Sequence, residues 1–139
     1  MILAFYKGRK RLVNRLICLV TRGKYSHVEL VLQELGNGLY LCLSSSMLDG
    51  GVRIKAIDLN SGNWDMVDIA GQVTYEQAMA WFYKHHTAKY DYTGALRYAI
   101  KWFKQARGKF YCSEAASDIL RRPTSNHPQG LYDAITKAL

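Results

Sequence analysis

Lys109-Phe110-Tyr111-Cys112-Ser113-Glu114-Ala115-Ala116-Ser117-Asp118-Ile119-Leu120 is the stretch on which the fold of this chain depends. Apolar residues recur at helical spacing after Cys112, and Gly108 and two aromatic residues lead into them, so we predict a helix with Cys112 in its first turn. At that position the helix dipole and free backbone N–H groups favour a thiolate and are able to stabilise an oxyanion. A buried, unreactive cysteine fits the same pattern.

A candidate partner for Cys112 lies upstream, in Ser26-His27-Val28-Glu29-Leu30 at the start of a predicted strand. Strand alternation places His27 and Glu29 on one face, where a carboxylate favours the protonated imidazole that a thiolate–imidazolium pair needs. Direct hydrogen bonding within one strand is geometrically awkward, so an orienting group from the neighbouring strand remains an alternative. Short polar side chains are available there in Ser44, Ser45 and Ser46. A strand histidine with only a structural role is the competing interpretation.

Length and composition indicate a folded protein with one domain spanning residues 1–139. The chain has 139 residues, of which 49% are hydrophobic, with two prolines and no repeat or low-complexity tract that would mark a linker. The formal net charge of +8 indicates affinity for anions such as nucleic acid, anionic lipid or an acidic substrate. Much of the positive charge comes early, without an intervening acid, in Lys7, Arg9, Lys10, Arg11, Arg15, Arg22 and Lys24.

The basic segment from Arg9 to about Thr21 has apolar residues at helical spacing, which predicts an amphipathic helix. Its cationic face is either solvated or a docking surface for phosphates or an anionic membrane. The helix has no interleaved aromatic residues, which weakens an interpretation as a platform for single-stranded nucleic acid.

The remaining sequence predicts an α+β fold in which an antiparallel sheet is packed with helices, because strand patterns dominate the first half and helical patterns the second. Gly36-Asn37-Gly38 and Asp49-Gly50-Gly51 are the predicted turns between strands. The predicted strands are Met1–Tyr6, Ser26–Leu35, Leu39–Ser44, Val52–Ile57 and Trp64–Ala70, and the later helices are Thr74–His85, Thr93–Phe103, the Cys112 helix and Leu131–Ala138.

The three cysteines lack the spacing of a metal site. Cys18 and Cys42 lie within apolar runs and are predicted to be packing residues. An odd number of cysteines without a secretory signal is typical of a reducing compartment, and the apolar run Leu16–Val20 is too short to span a bilayer. We therefore expect a cytoplasmic protein.

Three features together resemble a known family: Tyr25-Ser26-His27-Val28-Glu29-Leu30, Asp49-Gly50-Gly51-Val52-Arg53, and Tyr90-Asp91-Tyr92 ahead of Phe110-Tyr111-Cys112-Ser113-Glu114. They are similar to the circularly permuted NlpC-type papain-like cysteine hydrolases, the group of YiiX/YaeF-like proteins and similar small phage proteins. In that group the histidine strand precedes the cysteine helix, the reverse of papain order. The resemblance spans roughly residues 25 to 135. For a phage-encoded protein it implies the host cytoplasm.

This resemblance implies that Cys112 is the nucleophile, His27 the general base and Glu29 the orienting acid. It further implies that Tyr90 or Tyr92 lines the cleft, and we include Ser44, Ser45 and Tyr111 among the candidate substrate-binding residues. Relatives act on amide, ester or thioester bonds, so the implied substrate is a peptide, an amide or a lipid acyl group, with no metal or organic cofactor. The serine run stands where some members carry a further polar or acidic residue, which leaves the third catalytic group open.

Two classes of function therefore compete. The first is a cysteine hydrolase or acyltransferase that works through an acyl-enzyme. The second is a basic binding module for nucleic acid or an anionic membrane, in which Cys112 is structural. A papain-like fold that binds a lipid or peptide without turning it over combines the two.

Overall fold

The computed structural model describes residues 1–90, 109–125 and 127–138. Within these ranges the chain forms strands and helices in the order β1, α1, β2, β3, β4, β5, α2, β6, β7, α3, α4. The strands are β1 (Ile2–Tyr6), β2 (His27–Gly36), β3 (Leu39–Ser46), β4 (Gly51–Asp58), β5 (Trp64–Asp68), β6 (Lys89–Tyr90) and β7 (Lys109–Phe110). The helices are α1 (Leu12–Thr21), α2 (Tyr75–His85), α3 (Cys112–Ile119) and α4 (Pro128–Thr136).

The described strands form one mixed sheet in the order β5-β1-β2-β3-β4-β6-β7. Its five longer strands pair antiparallel throughout, and only the short strands β6 and β7 pair in parallel. The α+β class predicted from the sequence is therefore confirmed. Because β2 lies between β1 and β3, the strand that carries His27 and Glu29 is an interior strand.

Strand alternation divides the apolar side chains between the two faces of the sheet. On one face, residues such as Val28 and Leu30 of β2 join the larger core cluster, to which α3 and α4 contribute Cys112 and Leu131. On the other face, Val31 belongs to a smaller cluster that is completed by Ala4, Cys42 and Leu59. The alternation that buries Val28 and Leu30 against α3 points Glu29 to the opposite face.

The β2–β3 turn forms where Gly36-Asn37-Gly38 predicted it. These residues have φ angles of 95°, 53° and 79°, in the left-handed region that glycine and asparagine tolerate best. The helix α2 begins directly after Thr74, which forms a capping box with Gln77: the Gln77 side chain accepts from the Thr74 N–H, and the Gln77 N–H donates to Thr74 Oγ1.

The last helix begins earlier than predicted. We expected a loop through Gly130 and a helix from Leu131, but α4 starts at Pro128. His127 is its N-cap, and Nδ1 of His127 accepts a hydrogen bond at 2.9 Å from the Gly130 N–H. Proline suits the first helical position because a backbone N–H there would have no partner within the helix, so its absence costs no hydrogen bond. The predicted helix Thr93–Phe103 lies outside the described residues.

Candidate active site

Cys112 is the first residue of α3, as predicted. The first turn is closed by Glu114, whose carboxylate accepts a hydrogen bond at 3.0 Å from the Tyr111 N–H. The start of a helix leaves backbone N–H groups without intrahelical partners, which gives this position its preference for negative charge. Cys112 is buried, with only 1% of its surface exposed.

An aromatic cluster holds the start of β2. Tyr25 is buried, with its ring centroid 5.3 Å from Phe5 and 4.6 Å from Tyr132, and its hydroxyl donates to Asp65 at 2.7 Å. The next N–H, that of Ser26, donates to the Tyr6 carbonyl at 2.9 Å. Because the two residues before His27 are fixed in this way, the backbone that carries the imidazole is fixed as well.

His27 and Glu29 form a direct hydrogen bond within β2. Nε2 of His27 lies 2.7 Å from Oε1 of Glu29. A carboxylate only accepts, so Nε2 carries the proton and donates. The expectation that such a bond within one strand is awkward was wrong: the side chains of residues i and i+2 share a face, and Nε2 of His27 meets the carboxylate two residues further along the strand. Glu29 therefore orients the ring without a group from the neighbouring strand.

His27 also lies beside Cys112, close enough for the two side chains to interact. Since Nε2 is held by Glu29, Nδ1 is the ring nitrogen left for the sulfur. Burial alone lowers the pKa of His27, but the negative charges of Cys112 and Glu29 outweigh burial and raise it to about 10. The arrangement favours a protonated imidazole beside Cys112.

Besides contacting His27, the carboxylate of Glu29 pairs with Arg53 of β4. Both terminal nitrogens of the guanidinium donate to the Glu29 carboxylate, and its Nε donates to Asp49 at 2.9 Å. Burial raises the pKa of Glu29, but hydrogen bonds from Arg53 and the charge of His27 outweigh it and hold that pKa below its usual value. Glu29 thus stays ionised although only 1% of its side chain is exposed. Arg53 and Glu29 form a bidentate pair that anchors the acid behind His27.

Ser44 stands between the two partners, because β3 separates β2 from β4 and Ser44 pairs in register with Arg53. Its short side chain leaves room for Arg53 to reach across the strand to Glu29. Ser44 Oγ donates to the Val28 carbonyl at 2.7 Å, and both Ser44 and Ser45 are buried. The structure therefore places these two predicted substrate-binding serines within the packed sheet.

The structure describes two of the three tyrosines predicted to line the cleft or bind substrate. Tyr111 is the buried N-cap residue of α3, next to Cys112. Tyr90 lies in β6, which pairs with β7 just before Tyr111. Tyr92 lies outside the described residues, so its prediction as a cleft residue stays a prediction.

A cleft of about 370 Å³ opens beside His27 and Glu29. It lies between α1, the start of β2, the β3–β4 turn and β4. Its apolar lining includes Val13, Ile17, Met47 and Trp64, and its polar lining includes Arg11, Asn14, Lys55 and Ser26. The cleft has the size of a small-molecule site and is lined by the His27 and Glu29 side of the pair.

Ser26 contributes a buried hydroxyl to this cleft. Among the residues that the structure describes, Ser26 Oγ is the buried side-chain oxygen without a hydrogen-bond partner. A buried unpaired hydroxyl costs free energy, so a position beside the imidazole makes it a candidate hydrogen-bonding group for a ligand in the cleft.

Three features of the site were not assigned from the sequence. Arg53 was quoted only as part of a motif, and its pairing with Glu29 depends on strand register. Ser26 had no role assigned. The Glu114 contact could have been found, since a glutamate three residues after an N-cap is a capping-box signal.

The other two cysteines are buried, as expected for packing residues. Cys18 and Cys42 are buried and free, and burial raises the pKa of both, in Cys42 to about 12. Residues 1–90, 109–125 and 127–138 contain no group of histidine, cysteine and acidic side chains arranged to hold a metal ion. In the same ranges, every helix is too short or too polar to span a bilayer.

No protein-family model matches this chain, and no curated protein matches its sequence significantly.

Proposed function

We propose that this chain is a cysteine hydrolase or acyltransferase that cleaves an amide, ester or thioester bond through Cys112, His27 and Glu29. One observation carries the proposal. The imidazole of His27 contacts both the sulfur of a helix-start cysteine and a buried, ionised glutamate. A nucleophile, a base and a group that orients the base are the parts that covalent acyl transfer requires.

The proposed reaction has two steps. The Cys112 thiolate attacks the substrate carbonyl, backbone N–H groups at the start of α3 stabilise the oxyanion, and protonated His27 gives its proton to the leaving group. In the second step, neutral His27 takes a proton from water or from another acyl acceptor. The activated acceptor attacks the acyl-enzyme, so that the acyl group passes to it and the Cys112 thiolate is regenerated. The papain-like permutation inferred from the motifs is supported by the positions of His27 at the start of a strand and of Cys112 at the start of a helix. The free, buried cysteines support a cytoplasmic location within this proposal.

A second candidate is a binding module in which Cys112 has a structural role. The near-complete burial of Cys112 favours it, because a nucleophile must be reached by its substrate. Under this alternative the cleft binds a ligand without turnover.

Iodoacetamide labelling of Cys112 as a function of pH separates the two candidates. An activated pair predicts labelling below pH 7, abolished by Cys112→Ser and slowed by His27→Ala. Cys18 and Cys42 serve as internal references, since burial raises the pKa of both thiols and keeps them unreactive at that pH. Ester, thioester and peptide substrates are then screened with wild type against Cys112→Ser. Labelling that begins only above about pH 8 and ignores His27 overturns the enzyme proposal.

A further inference from the structure

The helix α1 has two apolar faces, and the fold uses only one. Its inner face contributes Cys18, which is buried, and Val13, Ile17 and Val20, which are half-buried. The outer face carries Leu12, Leu16 and Leu19, whose surfaces are 81%, 48% and 75% exposed. A surface helix needs one apolar face to pack against its protein, so the outer leucines have no role in folding that the contacts explain.

These three leucines form a continuous stripe, because residues at i, i+4 and i+7 lie on one side of a helix. Scattered single leucines are normal on protein surfaces, whereas a row of three on one helix marks a place where something docks. We call Leu12, Leu16 and Leu19 the leucine stripe.

Cations surround the leucine stripe. Arg9, Lys10 and Arg11 precede it, Arg15 lies within it, and Arg22 ends the helix, and all five are exposed. No aspartate or glutamate occurs in the sequence before Glu29. The partner of this surface must therefore present apolar groups together with negative charge.

We propose that α1 is an interfacial helix that docks this protein onto an anionic membrane surface. The leucine stripe enters the boundary between headgroups and acyl chains, while the flanking arginines and lysine pair with headgroup phosphates. Both contributions are needed, because three leucines on a ten-residue helix bury little apolar area and charge alone leaves the leucines in water.

The same observations disfavour two other occupants. A second copy of this chain would bring five cations of each protomer against five of the other, and like charges repel. Nucleic acid would satisfy the cations but would leave the leucine stripe in water, since phosphate contacts need no exposed leucines. A lipid surface satisfies both sets of residues.

This docking is independent of the chemistry proposed for Cys112. Arg11, Val13, Asn14 and Ile17 belong to α1 and line the cleft beside His27, so a docked helix holds the cleft next to the bilayer. Membrane binding is nevertheless measured without turnover, and a catalytically inactive Cys112→Ser protein is expected to bind vesicles as wild type does.

Co-sedimentation of the full chain with lipid vesicles tests the proposal. Vesicles of phosphatidylcholine alone are compared with vesicles of phosphatidylcholine and phosphatidylglycerol, at low and high salt. Wild type is expected to sediment with the anionic vesicles and to release as salt screens the charges. Leu12→Ser/Leu19→Ser is expected to weaken binding on the order of tenfold, because inserted apolar area is lost. Lys10→Gln/Arg22→Gln is expected to weaken binding to anionic vesicles only.

The matched control is Leu35→Ser/Leu39→Ser, which removes two exposed leucines from the β2–β3 hairpin, away from the cations. It is expected to bind vesicles as wild type does, and thermal unfolding of all variants without lipid shows whether each is folded. Equal loss in the control, or binding that is indifferent to the leucine stripe, overturns the proposal. Salt-sensitive binding to duplex DNA or RNA that survives Leu12→Ser/Leu19→Ser, without vesicle binding, assigns the surface to nucleic acid instead.

Discussion

Nε2 of His27 and Oε1 of Glu29 lie 2.7 Å apart on the same strand, and the same Glu29 oxygen also accepts from Arg53. The buried carboxylate of Glu29 therefore accepts hydrogen bonds from His27 and Arg53 at the same time. Because the bidentate contact with Arg53 fixes the carboxylate, the carboxylate in turn fixes the imidazole. The orientation of the His27 imidazole thus depends on an arginine two strands away.

The first prediction concerns the protonation of His27. Its ring is expected to titrate near pH 10 rather than 6.5, because the negative charges of Cys112 and Glu29 outweigh the effect of burial. Titration of the ring protons by nuclear magnetic resonance measures this. Glu29→Gln and Cys112→Ser are each expected to lower the midpoint, since each removes one negative charge. Exposed Glu34→Gln on the same strand is the control and leaves the midpoint unchanged. A wild-type midpoint at 6.5 contradicts the charged pair.

The second prediction concerns the anchoring role of Arg53. Arg53→Met leaves Glu29 buried without its cation, and we expect the free energy of unfolding to fall by about 3–5 kcal/mol. Lys55→Met is the matched control, because Lys55 lies on the same strand and contacts the same Asp49 but is largely exposed. Its effect is expected to stay below about 1 kcal/mol. Urea unfolding of the two variants gives the comparison, and equal losses would show that burial of the Glu29 pair contributes nothing.

The third prediction concerns acid unfolding. The pKa of Glu29 is held below its unfolded value of 4.5, so Glu29 binds more protons in the unfolded chain than in the folded one. Its contribution to stability is complete above pH 4.5 and is lost as the pH falls through the lower folded pKa. Asp49 behaves alike, because hydrogen bonds from Arg53 and Lys55 overcome burial and lower its pKa to about 2.

Stability measured at pH 6 and at pH 3 is therefore expected to fall less in Glu29→Gln than in wild type, by up to about 1.4 kcal/mol for each pH unit below 4.5. Glu34→Gln serves as the control for loss of an exposed carboxylate. An identical acid loss in wild type and Glu29→Gln would mean that Glu29 does not keep a depressed pKa.

The fourth prediction compares two buried serines. Ser44 Oγ donates to the Val28 carbonyl, so Ser44→Ala is expected to cost about 1 kcal/mol of unfolding free energy. Ser26 Oγ has no such partner among the described residues, so Ser26→Ala is expected to leave stability unchanged or to raise it by up to about 1 kcal/mol. Thermal and urea unfolding measure both. A loss at Ser26 equal to that at Ser44 would reveal a hydrogen bond that the cleft does not show.

Much of the candidate site follows from local sequence. The alternation of β2 places His27 and Glu29 on one face, and the apolar period after Tyr111 starts a helix at Cys112. The strand face and the helix start both depend on residues only a few positions away, so the spacing of apolar residues in the sequence predicts them directly. The start of α4 was misplaced because the apolar period begins only at Leu131, whereas the cap of His127 and the position of Pro128 decide the first turn.

The sequence by itself determined the α+β class, the β2–β3 turn, and the presence of a strand histidine and a helix-start cysteine. Only the tertiary structure decided that Cys112 contacts His27, that Arg53 reaches past Ser44 to Glu29, and that the leucine stripe of α1 faces solvent. The physical reason is range. Backbone preferences and periodicity act over a few residues, whereas strand register and helix packing bring together side chains that are far apart in the chain.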